Sequence, residues 1–323
     1  MANAARLMYL ARVASLYYDQ DKTQQEIADE LNITRSAISR LLTEARKEGI
    51  VEIKVHYPWR SSGGLQEMLR TTFGLKEARV LVRDNKAYDE VVKGLGILAS
   101  EYLTSILRPD LKIGLSWGTA LYQMISALPP VDLPHCEVIQ LIGATGAENN
   151  PTDGPLLAQL LANRLNCIGR FLHAPLIVDS ELACQTIRQD RNIQRSLQFA
   201  RTVDVAFVGI GSTDPELYSL ARAGYVLKEE IDELRAQGAV GDICAHHYAL
   251  DGHVLDIAIN RRIVGISLED LKRIPCVVGV AGGRKKAETI LGALRGGYIN
   301  VLITDEEAAE AVLERHLRET QAA

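Results

Sequence analysis

The sequence predicts a two-part α/β protein: a small N-terminal all-helical domain followed by a doubly wound, mostly parallel α/β domain. Three observations predict this fold. The chain has 323 residues, of which 47% are hydrophobic and 24% charged, as expected for about two ordinary globular domains. Helical apolar spacing fills the first fifty residues. From residue 65 onward, short β-branched runs alternate with amphipathic stretches, which is typical of a parallel sheet covered on both faces.

Composition excludes several protein classes. No apolar run approaches the roughly 18 to 20 residues that span a bilayer, and Arg6 and Arg12 interrupt the apolar N-terminus, so we expect a cytoplasmic protein. The five cysteines are odd in number and lie at least 17 positions apart, which favours neither a disulfide framework nor a zinc-binding pair. We therefore expect them to be reduced: Cys136, Cys167, Cys184, Cys244 and Cys276.

The first sixty residues predict three helices. Residues 4–18 have helical apolar spacing. Thr23 and Glu26 form a capping-box pattern that begins a second, short helix. Asn32 stands where a tight turn favours a left-handed residue, and Thr34 can cap a third helix over residues 34–48. Two helices joined by so short a turn are typical of a helix-turn-helix, whose second helix enters the major groove of DNA.

The third helix has one apolar face and one small, polar face. Ile38, Leu41, Leu42 and Ala45 share the apolar side. Small hydroxyl side chains let a helix approach the bases, and arginine can read guanine. The candidate DNA contacts are Thr23, Gln24, Thr34, Arg35, Ser36, Ser39, Arg40 and Thr43. A plain helical bundle with solvated arginines remains an alternative, because residues 1–60 carry a net charge of only +1.

The stretch QEIADELNITRSAISRLLTEARKEGIVEI closely resembles the helix-turn-helix of bacterial transcription regulators, with Asn32 in place of a common glycine. Residues 50–55 then alternate as a strand would, which predicts the edge of a wing-like hairpin. Pro58 and the run Ser61–Gly64 indicate a linker. We predict a DNA-binding domain over residues 1–56, a linker over 57–64 and an effector and oligomerisation domain over 65–323.

The remainder alternates predicted strands with predicted helices. The strands are residues 78–82, 112–116, 137–143, 204–211, 276–283 and 300–304, and the helices include 88–107, 118–127, 154–166, 227–237 and 284–295. Four strands end in small-residue loops, which begin at Ser116, Gly143, Gly209 and Gly282. Ligands of open α/β sheets bind at the carboxyl ends of strands, so we expect these loops to meet at one crevice. A glycine after a strand can equally be a simple turn.

The run Arg284-Lys285-Lys286 follows Gly282-Gly283 and places three cations where a helix dipole disfavours them, at about 0.3 to 1 kcal/mol each. A bound phosphate would offset that cost, and we select Lys286 to hold it; solvated cations are the alternative. Asp242 directly follows Gly241 in a glycine-containing segment, and its carboxylate can accept hydrogen bonds from sugar hydroxyls or cap the next segment. No dinucleotide, P-loop or hydrolase motif is present, the histidines predict no metal site, and no cofactor is indicated.

The segments KIGLSWGTAL, GAVGDI and NRRIVGISLEDLKRIPCVVGVAGGRKKAETILGALRGGYINVLITDE resemble the SorC family of bacterial sugar-responsive transcription regulators, and the likeness covers nearly the whole chain. The resemblance implies a domain related in fold to sugar-phosphate isomerases and deaminases, a phosphorylated-sugar effector, a carbohydrate operon and usually a tetramer. It implies effector contacts from Ser116, Trp117, Gly118, Thr119, Gly143, Gly211, Ser212, Asp242 and Lys286. Trp117 is larger than the residue expected there, and Gly143 stands where some relatives have arginine.

We therefore expect a regulator that is not an enzyme, binds double-stranded operator DNA as a dimer or tetramer, and responds to a phosphorylated sugar. An isomerase- or deaminase-type enzyme with a fused DNA-binding head is the main alternative, and turnover of sugar phosphates would reveal it. A DNA-architectural protein without a ligand is a third class, and it would show no thermal shift with any sugar phosphate.

Overall fold

The computed structural model describes residues 2–51, 61–146 and 151–322. The chain divides into two compact units, Met1–Pro58 and Trp59–Ala323. The first unit contains three helices: α1 (Ala2–Tyr18), α2 (Gln24–Leu31) and α3 (Arg35–Lys47). Their apolar faces bury Leu10, Val13, Ile27, Ile38 and Leu42 in one small core. The three predicted helices are confirmed.

Local capping explains where these helices begin and end. Thr23 accepts a hydrogen bond from the backbone of Glu26, whose carboxylate bonds back to Thr23, so the predicted capping box is present. Asn32 has φ 54° and ψ 44°, which is the left-handed conformation predicted for the turn. Thr34 caps α3 by accepting from the amide of Ala37. Of the predicted strand over 50–55, Ile50 and Val51 pack beside the core, and its remaining residues lie outside the described ranges.

The described part of the second unit contains a seven-stranded, fully parallel sheet in the order β1-β10-β9-β5-β2-β3-β4. Its strands are β1 (Glu77–Leu81), β2 (Lys112–Leu115), β3 (Glu137–Gln140), β4 (Ile168–Arg170), β5 (Val205–Gly209), β9 (Cys276–Val280) and β10 (Val301–Asp305). An antiparallel sheet holds β6 (Gly211–Ser212), β7 (Gly241–Ile243) and β8 (His246–Tyr248).

Helices cover the parallel sheet on both faces. They are α4 (Gly63–Phe73), α5 (Tyr88–Ile106), α6 (Thr119–Ala127), α7 (Gly154–Arg164), α8 (Glu181–Gln189), α9 (Arg191–Ala200), α10 (Ser219–Arg222), α11 (Lys228–Ala236), α12 (Leu268–Lys272), α13 (Ala287–Arg295) and α14 (Glu306–Ala322). Phe207 and Val208 are neighbours in β5, yet they belong to two different hydrophobic cores, one on each face. A doubly covered sheet explains why its strands are continuously apolar.

The structure corrects the sequence prediction at three places. Gly63 and Gly64 belong to α4, so they are not linker residues; residues 57–60 of the predicted linker lie outside the described ranges. The predicted strand over 204–211 divides, because β5 ends at Gly209 and Gly211 begins β6 of the antiparallel sheet. The predicted helix over 284–295 starts with a 3-10 turn at Arg284–Lys286 and becomes α-helical only from Ala287.

Candidate effector cavity and DNA-recognition surface

A cavity of about 740 Å³ opens at the carboxyl ends of β2, β5 and β9, three adjacent strands near the centre of the sheet. The chain proceeds from β2 outward to β3 on one side, and from β5 outward to β9 on the other. The cavity therefore lies where the strand order reverses, which is the usual ligand position in open α/β sheets. Its lining includes Trp117, Gly118, Thr119, Gly211, Asp242 and Lys286.

Three residues predicted to contact the effector do not line this cavity. Ser116 is 1% exposed, and its hydroxyl accepts a 3.3 Å hydrogen bond from the amide of Gly209. Gly143 packs tightly, because a Cβ there would lie less than 3.0 Å from the backbone of Pro175. Ser212 is also buried, and its hydroxyl accepts from the amide of Asp214 at 3.1 Å. These residues support the loops from behind, so the prediction of direct contact is corrected for all three.

Gly118 shapes the β2 side of the cavity. Its φ of 118° is a conformation that other residues rarely adopt, and it directly precedes α6. Its amide donates to the carbonyl of Thr152 at 3.1 Å, while Tyr122 donates the first hydrogen bond of the helix to the Gly118 carbonyl. Thr119 and Ala120 line the cavity at the start of the helix. The first amides of a helix have no partner inside it, so this end attracts anions.

Asp242 contributes a buried carboxylate. The residue is 2% exposed, and its Oδ1 has no hydrogen-bond partner among the described residues. Burial raises the pKa of this carboxyl, while His247 and Lys286 oppose the shift. An unpaired buried carboxylate oxygen costs free energy, so a ligand that donates a hydrogen bond to it would recover part of that cost.

Lys286 provides the cation beside Asp242. Its Nζ donates to the carbonyl of Ile210 at 2.6 Å. Burial lowers the pKa of Lys286 to about 8, the charge of Asp242 opposes this shift, and Arg222 adds to it. The two preceding cations face elsewhere: Arg284 pairs with Glu314, and Lys285 pairs with Glu216. Of the three cations in the run, only Lys286 lines the cavity.

Behind Asp242 lies a buried polar cluster. Tyr218 and His247 are fully buried, and the tyrosine hydroxyl lies 2.5 Å from His247 Nε2. Asn260 Oδ1 lies 3.0 Å from His247 Nδ1, and the Asn260 amide group donates to the carbonyls of His247 and Leu255. That orientation leaves Oδ1 as an acceptor, so Nδ1 carries the proton and Nε2 accepts from Tyr218. Burial lowers the pKa of His247, in keeping with a neutral imidazole.

Sequence reasoning missed several other residues that line the cavity. Tyr88, Asp89 and Lys93 come from the first turns of α5, Gln123 comes from α6, and Arg222 ends α10. None of them belongs to a glycine-containing loop or a known motif. Only contacts between segments distant in the chain bring them to the cavity, and the sequence has no local signal of those contacts.

No cluster of histidine, cysteine or carboxylate residues within the described ranges could hold a metal ion. His253 instead contacts Asp251, and His246 Nδ1 contacts the carbonyl of Cys244.

The predicted DNA-contacting face of α3 is exposed. Arg35, Ser36, Ser39, Arg40 and Thr43 are all exposed on the side away from the core. Neither Arg35 nor Arg40 forms a hydrogen bond or ion pair within the described ranges, and Thr43 donates internally to the carbonyl of Ser39. These two arginines are therefore available to a partner.

The caps and the short turn hold that face in place. Thr23 and Thr34 are exposed, but their hydroxyls are already engaged as caps of α2 and α3. Gln24 is partly exposed at the first position of α2. Glu44 on the side of α3 binds Arg6 of α1 through two hydrogen bonds of 3.0 and 2.6 Å. This pair joins the first helix to α3 at the surface, while the buried core between the three helices orients the exposed face.

Comparison with known proteins identifies families for both units. The Sugar-bind family model, which describes a sugar-binding domain, matches residues 58–314. The model of sigma-70 region 4 matches residues 11–48, which contain the last part of α1 together with α2 and α3. Among the helices of the described ranges, none has both the length and the apolarity to cross a membrane.

Curated relatives match over nearly their whole length. The deoxyribonucleoside regulator of Bacillus subtilis is 34% identical over 300 residues, covering 93% of this chain and 95% of the relative. The sorbitol operon regulator of Klebsiella pneumoniae is 33% identical over 317 residues, covering 97% and 100%. These relatives are transcription regulators and not enzymes, so the enzyme alternative is set aside.

Solved structures agree with this assignment. The full-length sorbitol operon regulator SorC from Klebsiella pneumoniae has a TM-score of 0.71 and 32% identity, covering 95% of this chain and 99% of that chain. A DeoR family transcriptional regulator from Listeria monocytogenes has a TM-score of 0.71 and 28% identity, covering 77% and 98%. The chain belongs to the SorC/DeoR family of sugar-binding transcriptional regulators, in which a helix-turn-helix related to sigma-70 region 4 is joined to a sugar-binding domain.

Proposed function

We propose that this regulator binds a phosphorylated sugar in the cavity and that the bound sugar controls the binding of α3 to operator DNA. The observation that carries the proposal is that one cavity holds both a hydrogen-bond acceptor without a partner and a cation. Asp242 presents a buried acceptor without a partner, and Lys286 presents a cation next to it. A sugar phosphate supplies hydroxyl donors for the first and an anion for the second.

In this proposal the phosphate lies against the start of α6, near Gly118 and Thr119, with Lys286 as its charged partner. An ammonium group has three protons, and Lys286 donates one of them to Ile210, so two remain for a ligand. Asp242 takes sugar hydroxyls, and the ring of Trp117 covers one face of the ligand. Ser116, Gly143 and Ser212 act only through the loops that they support.

A thermal-shift series on the full-length protein tests the ligand. Sugar phosphates are compared with the matching unphosphorylated sugars, and we expect a rise in melting temperature only with the phosphorylated members. Lys286→Met should abolish that rise. Lys285→Met is the matched control, because Lys285 is exposed and pairs with Glu216, so its ligand response should equal that of the wild type. Equal shifts with phosphorylated and unphosphorylated sugars would contradict the proposal.

On the DNA side, we propose that Arg35 and Arg40 read bases or phosphates, that Ser36, Ser39 and Thr43 allow close approach, and that Thr23, Gln24 and Thr34 face the DNA backbone. One isolated helix-turn-helix buries little DNA surface, so a dimer or tetramer would read half-sites about one helical turn, or a multiple of it, apart. The names of the deoxyribonucleoside and sorbitol operon regulators support a carbohydrate-metabolism operon as the target.

Gel-shift titrations on operator DNA and on scrambled DNA test the proposed DNA contacts of α3. Arg40→Ala should weaken operator binding by about 1 to 3 kcal/mol and relax sequence preference if Arg40 reads a base. Arg12→Ala removes one positive charge from α1 and is the matched control for net charge. If both variants lose the same affinity on both DNAs, Arg40 contributes only charge.

The effector can regulate only if it binds one DNA-binding state better than the other. Repeating the wild-type gel shift with and without the sugar phosphate measures this coupling. An operator affinity that does not change with ligand would contradict the regulatory part of the proposal, while the thermal shift would still report binding.

A further inference from the structure

Two of the five cysteines lie side by side at one edge of the sheet. Cys136 immediately precedes β3 and Cys167 immediately precedes β4. Glu137 pairs with Ile168 in parallel register, so the two cysteines stand opposite each other one residue earlier. The amide of Ile168 donates to the carbonyl of Cys136 at 3.2 Å, which holds the two backbones together at this point.

This placement suits a disulfide. Neighbouring strands lie about 4.8 Å apart, and the Cα atoms of disulfide-bonded cysteines are usually about 4.4 to 6.8 Å apart. Residues opposite each other on parallel strands direct their side chains to the same face. The two thiols also shift each other's pKa in opposite directions, as expected of close neighbours. The bond could therefore form without a large movement of the backbone.

The two thiols differ in accessibility and in acidity. Cys136 is fully buried, whereas Cys167 is partly exposed. The neighbouring Cys136 thiol lowers the pKa of the Cys167 thiol, and the amide of Val138 adds to this shift. Burial and the carboxylate of Glu137 oppose it. Arg170 binds Glu137 through two hydrogen bonds, which compensates the charge of that carboxylate. The pKa of Cys136 is raised.

We propose that Cys136 and Cys167 form a redox-sensitive dithiol, which a peroxide converts into an intrachain disulfide. The Cys167 thiolate attacks one peroxide oxygen, the O–O bond breaks, and Cys167 becomes a sulfenic acid while water leaves. The Cys136 sulfur then attacks the Cys167 sulfur, the S–O bond breaks, and a second water leaves. In total, two thiols and one hydrogen peroxide give one disulfide and two waters, so the sulfurs lose the two electrons that the peroxide gains.

The other cysteines provide an internal comparison. Cys184 and Cys244 are buried, and burial raises the pKa of each thiol. Cys276 is partly exposed like Cys167, but burial raises its pKa, and its sulfur lies 3.3 Å from the hydroxyl of Tyr102. Exposure alone would make Cys167 and Cys276 equally reactive. The dithiol proposal makes Cys167 the more reactive of the two.

The new bond would fasten the edge strand of the sheet. β4 pairs with β3 on one side, and it is the last strand in the order. Gly169, Arg170 and Phe171 line a surface cavity of about 800 Å³, which is separate from the effector cavity. Oxidation would thus change a part of the domain that the proposed sugar does not contact.

Peptide mass spectrometry of the native, full-length protein tests the proposal. The reduced protein is treated with hydrogen peroxide, its remaining thiols are alkylated, and it is then digested. We expect a linked peptide containing Cys136 and Cys167, loss of two thiols per chain, and reversal by dithiothreitol. The proposal is overturned if Cys167 proceeds to sulfinic acid while Cys136 stays reduced, or if another disulfide forms first.

Variants separate the two steps. In Cys167→Ser, hydrogen peroxide should leave Cys136 reduced. In Cys136→Ser, the sulfenic acid at Cys167 has no resolving partner, so dimedone should label Cys167. Cys276→Ser is the matched control and should form the disulfide at the wild-type rate. In the wild-type protein, loss of the free Cys276 thiol ahead of the free Cys167 thiol would refute the assignment, and this measurement holds even if Cys136→Ser does not fold.

Discussion

The carboxylate of Asp242 lies directly against the backbone of Gly211. A Cβ added at Gly211 would lie less than 3.0 Å from Oδ1 and Cγ of Asp242 and 3.1 Å from its Oδ2. Gly211 and Asp242 are also paired in register between β6 and β7. The position of the Asp242 carboxylate therefore depends on the absence of a side chain at residue 211.

Gly211→Ala should displace the Asp242 carboxylate and abolish the thermal shift produced by a sugar phosphate. Overpacking should also lower the free energy of unfolding by about 1 to 3 kcal/mol, measured by chemical denaturation. Gly64→Ala is the control, since Gly64 is exposed in α4 with no atom within 4 Å of the added Cβ. A full ligand shift in Gly211→Ala would show that the Asp242 position is not required.

Effector affinity should fall as pH rises from 7 to 9. The pKa of Lys286 is about 8, so its ammonium, which attracts an anion, is lost across this interval. The ligand phosphate contributes little to the change, because its second pKa is about 6. Calorimetric titrations of wild type, Lys286→Met and Lys285→Met measure the slope. Only Lys286→Met should lose it; an unchanged slope in that variant would assign the pH dependence to another group.

The same lysine has an opposite effect on the stability of the protein without ligand. Its folded pKa of about 8 lies below the ordinary value of 10.5. Between these values the folded state binds fewer protons than the unfolded state, so the contribution of Lys286 to stability rises with pH. The free energy of unfolding of the wild type minus that of Lys286→Met should therefore rise from pH 8 to pH 10, and a fall in this quantity, measured by chemical denaturation, would contradict the sign.

Asn32 provides a test of the turn between α2 and α3. Its left-handed conformation costs an ordinary L-residue about 1 to 2 kcal/mol, and glycine adopts it freely. Asn32→Ala should therefore weaken protection of the α2 and α3 amides from hydrogen exchange and reduce operator affinity, whereas Asn32→Gly should retain both. Equal behaviour of the two variants would mean that the turn changes conformation when residue 32 is replaced.

Tyr218→Phe should destabilise the sugar-binding domain by about 1 to 3 kcal/mol. The substitution removes the hydroxyl that donates to buried His247 Nε2 and leaves that nitrogen without its partner. Tyr122→Phe is a suitable control, because the Tyr122 hydroxyl has no hydrogen bond within the described ranges and the residue is only partly buried. Urea denaturation compares the two variants, and equal midpoints would show that the Tyr218 hydroxyl is energetically neutral.

The sequence predicted features whose signals are local. The caps at Thr23 and Thr34, the left-handed Asn32 and the apolar face of α3 depend on residues a few positions apart, so they could be identified before the fold was known. The long buried strands were predictable for a similar reason. β4, with three residues, and β6, with two, are too short to show a periodic pattern, and they were missed.

The cavity was only partly predictable, because glycine has two uses that look identical in a sequence. Gly118 opens a helix beside the cavity, whereas Gly143 allows close packing against Pro175. Both follow a strand. Lys93 and Arg222 reach the cavity from helices that the chain folds back over the sheet, so their role depends on contacts between distant segments.

The residues that line the cavity are spread along the chain, which determines how a truncation would affect metabolite sensing. The cavity lining comes from stretches as far apart as Tyr88 and Lys286. A nonsense mutation shortly after β5 would remove Asp242 and Lys286 together while the coding region for α1, α2 and α3 stays intact. Proteins truncated in this way should not respond to the metabolite. Any repression or activation that they retain should therefore be constitutive.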